Sequence, residues 1–246
     1  MIGALGALVL ARLGLAPARW TVNAIFLGGI FGGCFALLTR SRAITPGAGL
    51  LWASAFSFLL WLAGPAGVLP RFTPHGSMGM LDAARAHFSE LVGYLLIFGA
   101  PLGLALGALP VAKPSPESNA QPFSLARALV AGGLAGIVGG WAFGQWMEKA
   151  HFFPLIAGLV GSSSPGLGKT LHFVFAVIIG ATFGLLFQRD VRGYGSSLGW
   201  GLAYGIFWWF LGPLTLKPLL QGHAPDWSLA QGQKLFGSQW VTSFTA

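Results

Sequence analysis

Long apolar stretches separated by short polar segments make up most of the chain, and each stretch is close to the length that crosses a bilayer. A helix needs about 20 apolar residues to span the hydrocarbon core, and about six stretches of that length fit the sequence. The predicted spans cover approximately residues 22–38, 49–69, 90–109, 125–145, 170–188 and 198–218. The pattern therefore predicts an all-α, polytopic membrane bundle of about six transmembrane helices.

Two of these stretches repeat each other. The runs 50–70 and 198–218 carry the same distinctive residues at an offset of 148 positions, as from residue 52 to residue 200. The first and fifth spans also match, at an offset of 152, as from Phe35 to Phe187. The pairs in the longer match are Trp52 with Trp200, Ala55 with Ala203, Trp61 with Trp209, Gly64-Pro65 with Gly212-Pro213, and Pro70 with Pro218.

The repeat predicts a specific architecture. Equivalent spans are separated by an even number of crossings, so both copies have the same orientation and are related by a pseudo-twofold axis along the membrane normal. The segment 113–122 is rich in proline, serine and polar residues, which is typical of a linker. We therefore expect a first membrane repeat of three spans at 1–112, a linker at 113–122, and a second repeat of three spans at 123–246.

Composition indicates a membrane protein and limits the classes of partner that the chain is expected to bind. The chain is 54% hydrophobic and 8% charged, with a mean hydropathy of +0.71, whereas soluble domains carry about 25% charged residues. The formal net charge is +8, but the 14 lysines and arginines are spread among the loops. We interpret them as determinants of topology and contacts to lipid headgroups, and expect no nucleic-acid binding.

The two shortest turns each carry an arginine pair, Arg40 with Arg42 and Arg189 with Arg192. The positive-inside rule places both turns in the cytoplasm. The predicted location is the bacterial inner membrane, with the termini and the histidine-bearing loops on the extracytoplasmic side.

The candidate binding residues cluster at the proline-bearing ends of the repeated spans. His75 and His223 follow these ends at equivalent positions, and the paired spans carry Trp52, Trp200 and Trp209. These residues could line a site for a small apolar molecule, or, with nearby methionines, hold a soft metal such as copper. The alternative is packing: tryptophans fill gaps against glycine faces, and the histidines bond carbonyls freed by proline. No motif names a cofactor.

The sequence lacks the ionisable residues and catalytic motifs that most membrane pumps and enzymes require. Ionisable residues are absent from the middle of every predicted span, although ion and proton pathways usually require them. No nucleophile, metalloprotease or paired-carboxylate motif occurs. We interpret the chain as a non-enzymatic accessory or scaffold subunit of a larger membrane complex. The alternative is a transporter or binding protein for a small apolar molecule or metal; a membrane enzyme using the histidines is a third interpretation.

One further pattern suggests a family. A glycine-rich aromatic helix, the exit PLTLKPLLQGH at 213–223, and a short segment reaching Phe236 together resemble the uncharacterised YagU-like bacterial inner-membrane proteins. In that pattern the next helix opens with Gly-His-Leu, whereas this chain has Gly237, Ser238 and Gln239. The resemblance covers some fifty residues and implies a multi-pass membrane protein of unknown role.

Overall fold

The computed structural model describes residues 21–39, 45–64, 79–109 and 123–234. Within these ranges the chain is helical and contains no strand, which confirms the predicted all-α class. The helices are α1 (Thr21–Thr39), α2 (Pro46–Ala63), α3 (Met80–Ala86), α4 (Phe88–Ala108), α5 (Leu125–Lys149), α6 (Phe153–Ala157), α7 (Pro165–Phe187), α8 (Tyr194–Leu211), α9 (Lys217–Leu220) and α10 (229–234).

Three helices begin at a hydroxyl side chain that caps the first turn. The side chains of Thr45, Ser124 and Ser164 accept a hydrogen bond from the backbone N–H three residues on, at 3.1, 3.3 and 3.4 Å. Pro46 and Pro165 follow two of these caps, at a position where proline needs no partner for a missing N–H. Because of this cap, α7 begins five residues before the predicted start at residue 170.

Among the described residues, four helices are long and apolar enough to cross a membrane, which supports the predicted membrane class. They are α2, α4, α5 and α7. The 19-residue α1 is also apolar over Phe26–Thr39. Although α8 has 18 residues, it is not among the four, because tryptophan, tyrosine, glycine and serine lower its hydropathy.

The end of α2 differs from the predicted span, which reached residue 69. The helix ends at Ala63, and Gly64 has backbone angles of φ −91° and ψ −98°, outside the helical region. The cause is local, since proline at the next position disfavours the helical conformation of the residue before it.

The chain divides into two compact units. The first contains Met1–Ser118, Ala203–Leu211 and Trp227–Leu229, and the second contains Asn119–Leu202, Gly212–Asp226 and Ala230–Ala246. The dominant helix pair of the first unit is α2 with α4, and that of the second is α5 with α7.

In the first unit, α2 and α4 touch backbone to backbone. A Cβ atom added to Gly103 would collide with the carbonyl of Gly49, and one added to Gly107 would collide with the carbonyl of Thr45. One turn further along, Gly99 lies against the buried hydroxyl of Ser57. Without a hydrophobic drive between helices in lipid, such close approach provides the van der Waals contact that holds them together.

A small apolar core lies beside this crossing. Phe35 is fully buried and packs with Ala53, Phe98 and Leu102. Its ring centroid lies 5.4 Å from that of Phe56. This core joins α1 to the pair formed by α2 and α4.

The second unit uses the same kind of contact. A Cβ atom on Gly132 would meet the carbonyl of Gly180, and one on Gly136 would meet the carbonyl of Ala176. Gly184 lies equally close to the carbonyl of Ala128. The glycines that recur every four residues along α5 therefore face α7 over several turns.

Trp61 ties the end of α2 to the junction of α3 and α4. Its side chain is 5% exposed, and Nε1 donates a hydrogen bond to the carbonyl of His87 at 2.8 Å. Replacing Trp61 by phenylalanine should keep most of the apolar contact but lose this bond, lowering the free energy of unfolding by about 1 kcal/mol. Thermal unfolding in detergent measures the change. Trp141→Phe is the control, since Trp141 is 60% exposed; equal shifts for both variants would contradict the prediction.

Candidate functional site

The predicted tryptophans all make packing contacts. Trp52 is partly buried against the core around Phe35. The ring of Trp200 lies 5.6 Å from that of Phe187, and the ring of Trp209 lies 4.7 Å from that of its neighbour Phe210. These contacts agree with the packing interpretation, and the binding role of the three tryptophans stays a prediction.

Of the two histidines predicted to bind a ligand, only His223 lies in the described part of the structure. His75 lies outside the described residues. His223 has an exposed side chain, and its backbone N–H donates to the carbonyl of Pro218 at 2.9 Å. The main chain of His223, rather than its imidazole, thus bonds a carbonyl at this proline-bearing end.

The backbone after α8 widens because of its prolines. Gly212–Leu216 forms a π-helical turn, and Pro213 within it cannot donate to the preceding turn. The four-residue helix α9 follows, and Gly222 then turns the chain with a positive φ of 75°. The returning chain leaves a hollow of about 220 Å³, which we call the Lys217 hollow. Its lining residues are Pro213, Leu214, Lys217, Pro218, Gln221, Ala224, Asp226 and Gln231.

The Lys217 hollow brings opposite charges to one place. It is lined by the Lys217 ammonium group, the Asp226 carboxylate and the amides of Gln221 and Gln231. Lys217 starts α9, outside the four helices that are long and apolar enough to span a membrane, and is the first charged residue after the uncharged run 193–216. Burial and, secondly, the positive charge of Lys234 lower the pKa of Lys217. A bound anion would offset both effects.

A buried histidine lies inside the second unit. His172 is part of α7, and its side chain is 8% exposed. Its Nε2 lies 2.8 Å from the carbonyl oxygen of Gly140. A carbonyl can only accept, so Nε2 carries the proton and donates.

Glycines of α5 and three phenylalanine rings form the pocket that contains the His172 side chain, which we call the His172 pocket. A Cβ atom on Gly144 would come within 3.4 Å of Nε2, so the missing side chain makes room for the imidazole. The rings of Phe143, Phe153 and Phe173 surround it, with centroids at 6.3, 5.8 and 5.5 Å. The glycine spacing on α5 indicated a close partner, but could not indicate which side chain of α7 filled the gap.

A charged pair joins the end of α5 to the first turns of α7. Lys169 Nζ lies 3.0 Å from a carboxylate oxygen of Glu148, and both side chains are about half exposed, at 47% and 56%. Exposed pairs of this kind contribute about 0–1 kcal/mol. Lys169 ends the GLGK sequence, which lacks the first glycine of a phosphate loop and here lies inside α7.

The described residues thus offer two polar places: the Lys217 hollow, which is open to a ligand, and the His172 pocket, which is filled by its own side chain. Within the described ranges, no group of three histidine, cysteine, aspartate or glutamate side chains could hold a metal ion. Lys217 and Asp226 can bind complementary charges, and His172 stabilises a helix crossing. No family model, no curated protein and no solved structure matches this chain.

Proposed function

We propose that this membrane protein is a non-enzymatic accessory or scaffold subunit of a larger complex in the bacterial inner membrane. The observation that carries the proposal is a pair of glycines on α1 with an open face. Among the described residues, nothing lies within 4 Å of a Cβ atom added to Gly29 or to Gly33.

The open glycines differ from those of the packed helix pairs. Gly103 and Gly180 each meet a neighbouring backbone, whereas Gly29 and Gly33 share an outward face with Phe26 and Leu37, which are 69% and 78% exposed. Lipid tails can cover any apolar surface, so their binding does not require glycine. A neighbouring helix, in contrast, can approach the backbone closely where a small-xxx-small pair faces it. The face therefore suits a transmembrane helix of another protein.

Gly33→Ile tests this proposal. The side chain should leave the isolated chain unchanged in stability to within about 0.5 kcal/mol, because it projects into open space. It should weaken the association by about tenfold or more, equivalent to about 1.4 kcal/mol. Cys34, the single and exposed cysteine, accepts a maleimide photo-crosslinker without engineering.

The readout is the set of proteins that become crosslinked to the chain in native membranes. We expect a discrete protein adduct from the wild-type chain, its loss in Gly33→Ile, and its retention in Gly139→Ile. Gly139 is the matched control because it is also exposed and open, but lies on α5. Adducts with lipid alone, from the wild-type chain, would overturn the proposal.

The internal repeat and the six-span topology belong to the same proposal, and equivalent positions support them. Both α2 and α8 have 18 residues, and they begin and end at the offset of 148. Phe35 and Phe187, equivalent at the offset of 152, are both fully buried. In this topology α1 and α8 join α2, α4, α5 and α7 as spans.

Orientation follows from the turn between α7 and α8, which carries Arg189 and Arg192. We place this turn in the cytoplasm and the His223 end outside; the other arginine pair lies outside the described residues. The YagU-like resemblance remains compatible with this arrangement and adds no role to it.

A second candidate function is binding of a small ligand at the proline-bearing end of α8. The specific observation in its favour is the Lys217 hollow, which lies beside Pro213 and Pro218, where the repeated helices end. Its lining includes charges of both signs, so it suits a polar ligand better than the apolar molecule or metal expected from the tryptophans and histidines.

A further inference from the structure

Helix α2 contacts α4 through small residues that lie four positions apart. The carbonyl of Thr45 lies against Gly107, and the carbonyl of Gly49 lies against Gly103. The next position on the same side of α2 is Ala53, whose Cβ would lie 2.7 Å from a Cβ atom added to Gly103. Residue numbers fall along α4 as they rise along α2, so the two helices are antiparallel.

The same series of small residues occurs at the start of α8. At the offset of 148 positions, the three contact positions of α2 correspond to Gly193, Ser197 and Gly201. Residues four apart lie on one side of a helix. Among the described residues, nothing lies within 4 Å of a Cβ atom added to Gly193 or Gly201. We call this side of α8, at residues 193, 197 and 201, the Gly201 face.

Burial beside the two faces also differs. Leu50, next to the contact position on α2, is 2% exposed, whereas its equivalent Leu198 on α8 is 65% exposed. The contacts that bury the α2 side chain are therefore missing from α8 within the described part of the chain. Lipid tails can cover Leu198, but only a helix gains close backbone contact from small residues four apart.

We propose that the Gly201 face binds a transmembrane helix of another protein, which carries small residues at every fourth position and runs antiparallel to α8, as α4 does to α2. The inference rests on the internal repeat that belongs to the proposed function. It adds to the accessory role a second binding face and the direction of the bound helix. With Arg189 and Arg192 in the cytoplasm, that helix begins on the extracytoplasmic side.

A synthetic peptide of residues 88–109 tests the proposal, because it carries the α4 glycines that contact α2. The peptide has an acceptor fluorophore, and the full chain has a donor on its single cysteine, Cys34. Every version of the chain carries Gly33→Ile, which blocks the open face of α1. Energy transfer in lipid vesicles measures the dissociation constant. We expect saturable binding, weakened about tenfold or more when the peptide carries Gly103→Ile.

The corresponding change in the chain is Gly201→Ile, which should also weaken binding about tenfold or more. Gly199→Ile is the matched control. Gly199 lies on the same helix and is equally open, but residues two apart lie on nearly opposite sides of a helix, so this variant should bind as before. Thermal unfolding of each variant confirms that it is folded, and the peptide variant leaves the chain unchanged.

Equal weakening by Gly201→Ile and Gly199→Ile would overturn the proposal, as would binding that Gly103→Ile in the peptide leaves intact. Absence of binding would overturn it too, since lipid or the chain itself would then cover the face.

Energy transfer between two labelled copies of the full chain identifies self-association. If Gly201→Ile abolished such a contact, a second copy would occupy the face, and the assignment to another protein would be wrong. Loss of the Cys34 crosslink with intact peptide binding would overturn only the role of α1.

Discussion

Replacing Gly180 by alanine should destabilise the second unit by on the order of 3 kcal/mol. The added Cβ atom would lie 2.6 Å from Gly136 Cα and 2.7 Å from Gly136 N, and would collide with the carbonyl of Gly132. These are backbone atoms of the facing helix, which cannot rotate away as a side chain can. The two helices must therefore separate, and contacts several turns away are weakened with them.

The matched control is Gly133→Ala on the facing helix. A Cβ atom there meets Val177 Cγ1 at 3.7 Å, an ordinary van der Waals distance. The higher helix propensity of alanine should leave this variant neutral or stabilise it, by up to about 1 kcal/mol. Unfolding of the full chain by a strong detergent in mixed micelles measures both free energies. Similar free energies for the two variants would show that α5 and α7 are not in backbone contact.

Replacing His172 by alanine should cost about 3 kcal/mol of unfolding free energy. The variant loses the hydrogen bond from Nε2 to the Gly140 carbonyl and leaves a void among three phenylalanine rings. Because residues 140 and 144 of α5 are glycines, these two positions have no side chain that can fill the void. His172→Phe separates the two causes, since it fills the space and removes the donor, and should cost about 1 kcal/mol.

The same detergent titration measures these variants. The control is Thr170→Ala, whose exposed hydroxyl donates only to Gly166 O of its own helix at 3.2 Å. If His172→Ala were no more destabilised than Thr170→Ala, the imidazole would not be part of the helix crossing.

Together these predictions distinguish glycines that pack inside each unit from glycines on its surface. The glycines at 49, 103, 132 and 180 are used for internal packing, so substitutions there change stability. No described residue lies beside the glycines at 29 and 33, so substitutions there should change association. The same residue type thus has two testable roles, distinguished by whether a backbone lies opposite.

Much of the fold could be predicted from local pattern. Apolar length and the scarcity of charge predicted helices in a membrane, because in lipid the backbone must satisfy its own polar groups. The start of α7 was predicted at residue 170, whereas the Ser164 cap and Pro165 begin the helix at residue 165. The span that contains α2 was predicted to reach residue 69, with Gly64-Pro65 expected to kink or unwind its last turns, and the helix ends at Ala63.

The candidate site was only partly predictable. The proline-bearing end of the run 198–218 was identified as the place to examine, and Pro213 and Pro218 do line a hollow there. That Lys217 and Asp226 line the same hollow was not predicted, because it depends on the turn that returns the chain after α9. The roles of His75, Trp52, Trp200 and Trp209 in binding remain predictions.

By itself the sequence determined the helical class, the membrane environment and the spacing of glycines along each helix, because these depend on composition and on periodicity within one segment. Only the tertiary structure decided that Gly140 and Gly144 accommodate His172, that Gly103 meets Gly49, and that no described residue packs against Gly29 or Gly33. Helical periodicity relates residues on the same face of one helix, whereas which faces meet depends on how the chain turns between helices.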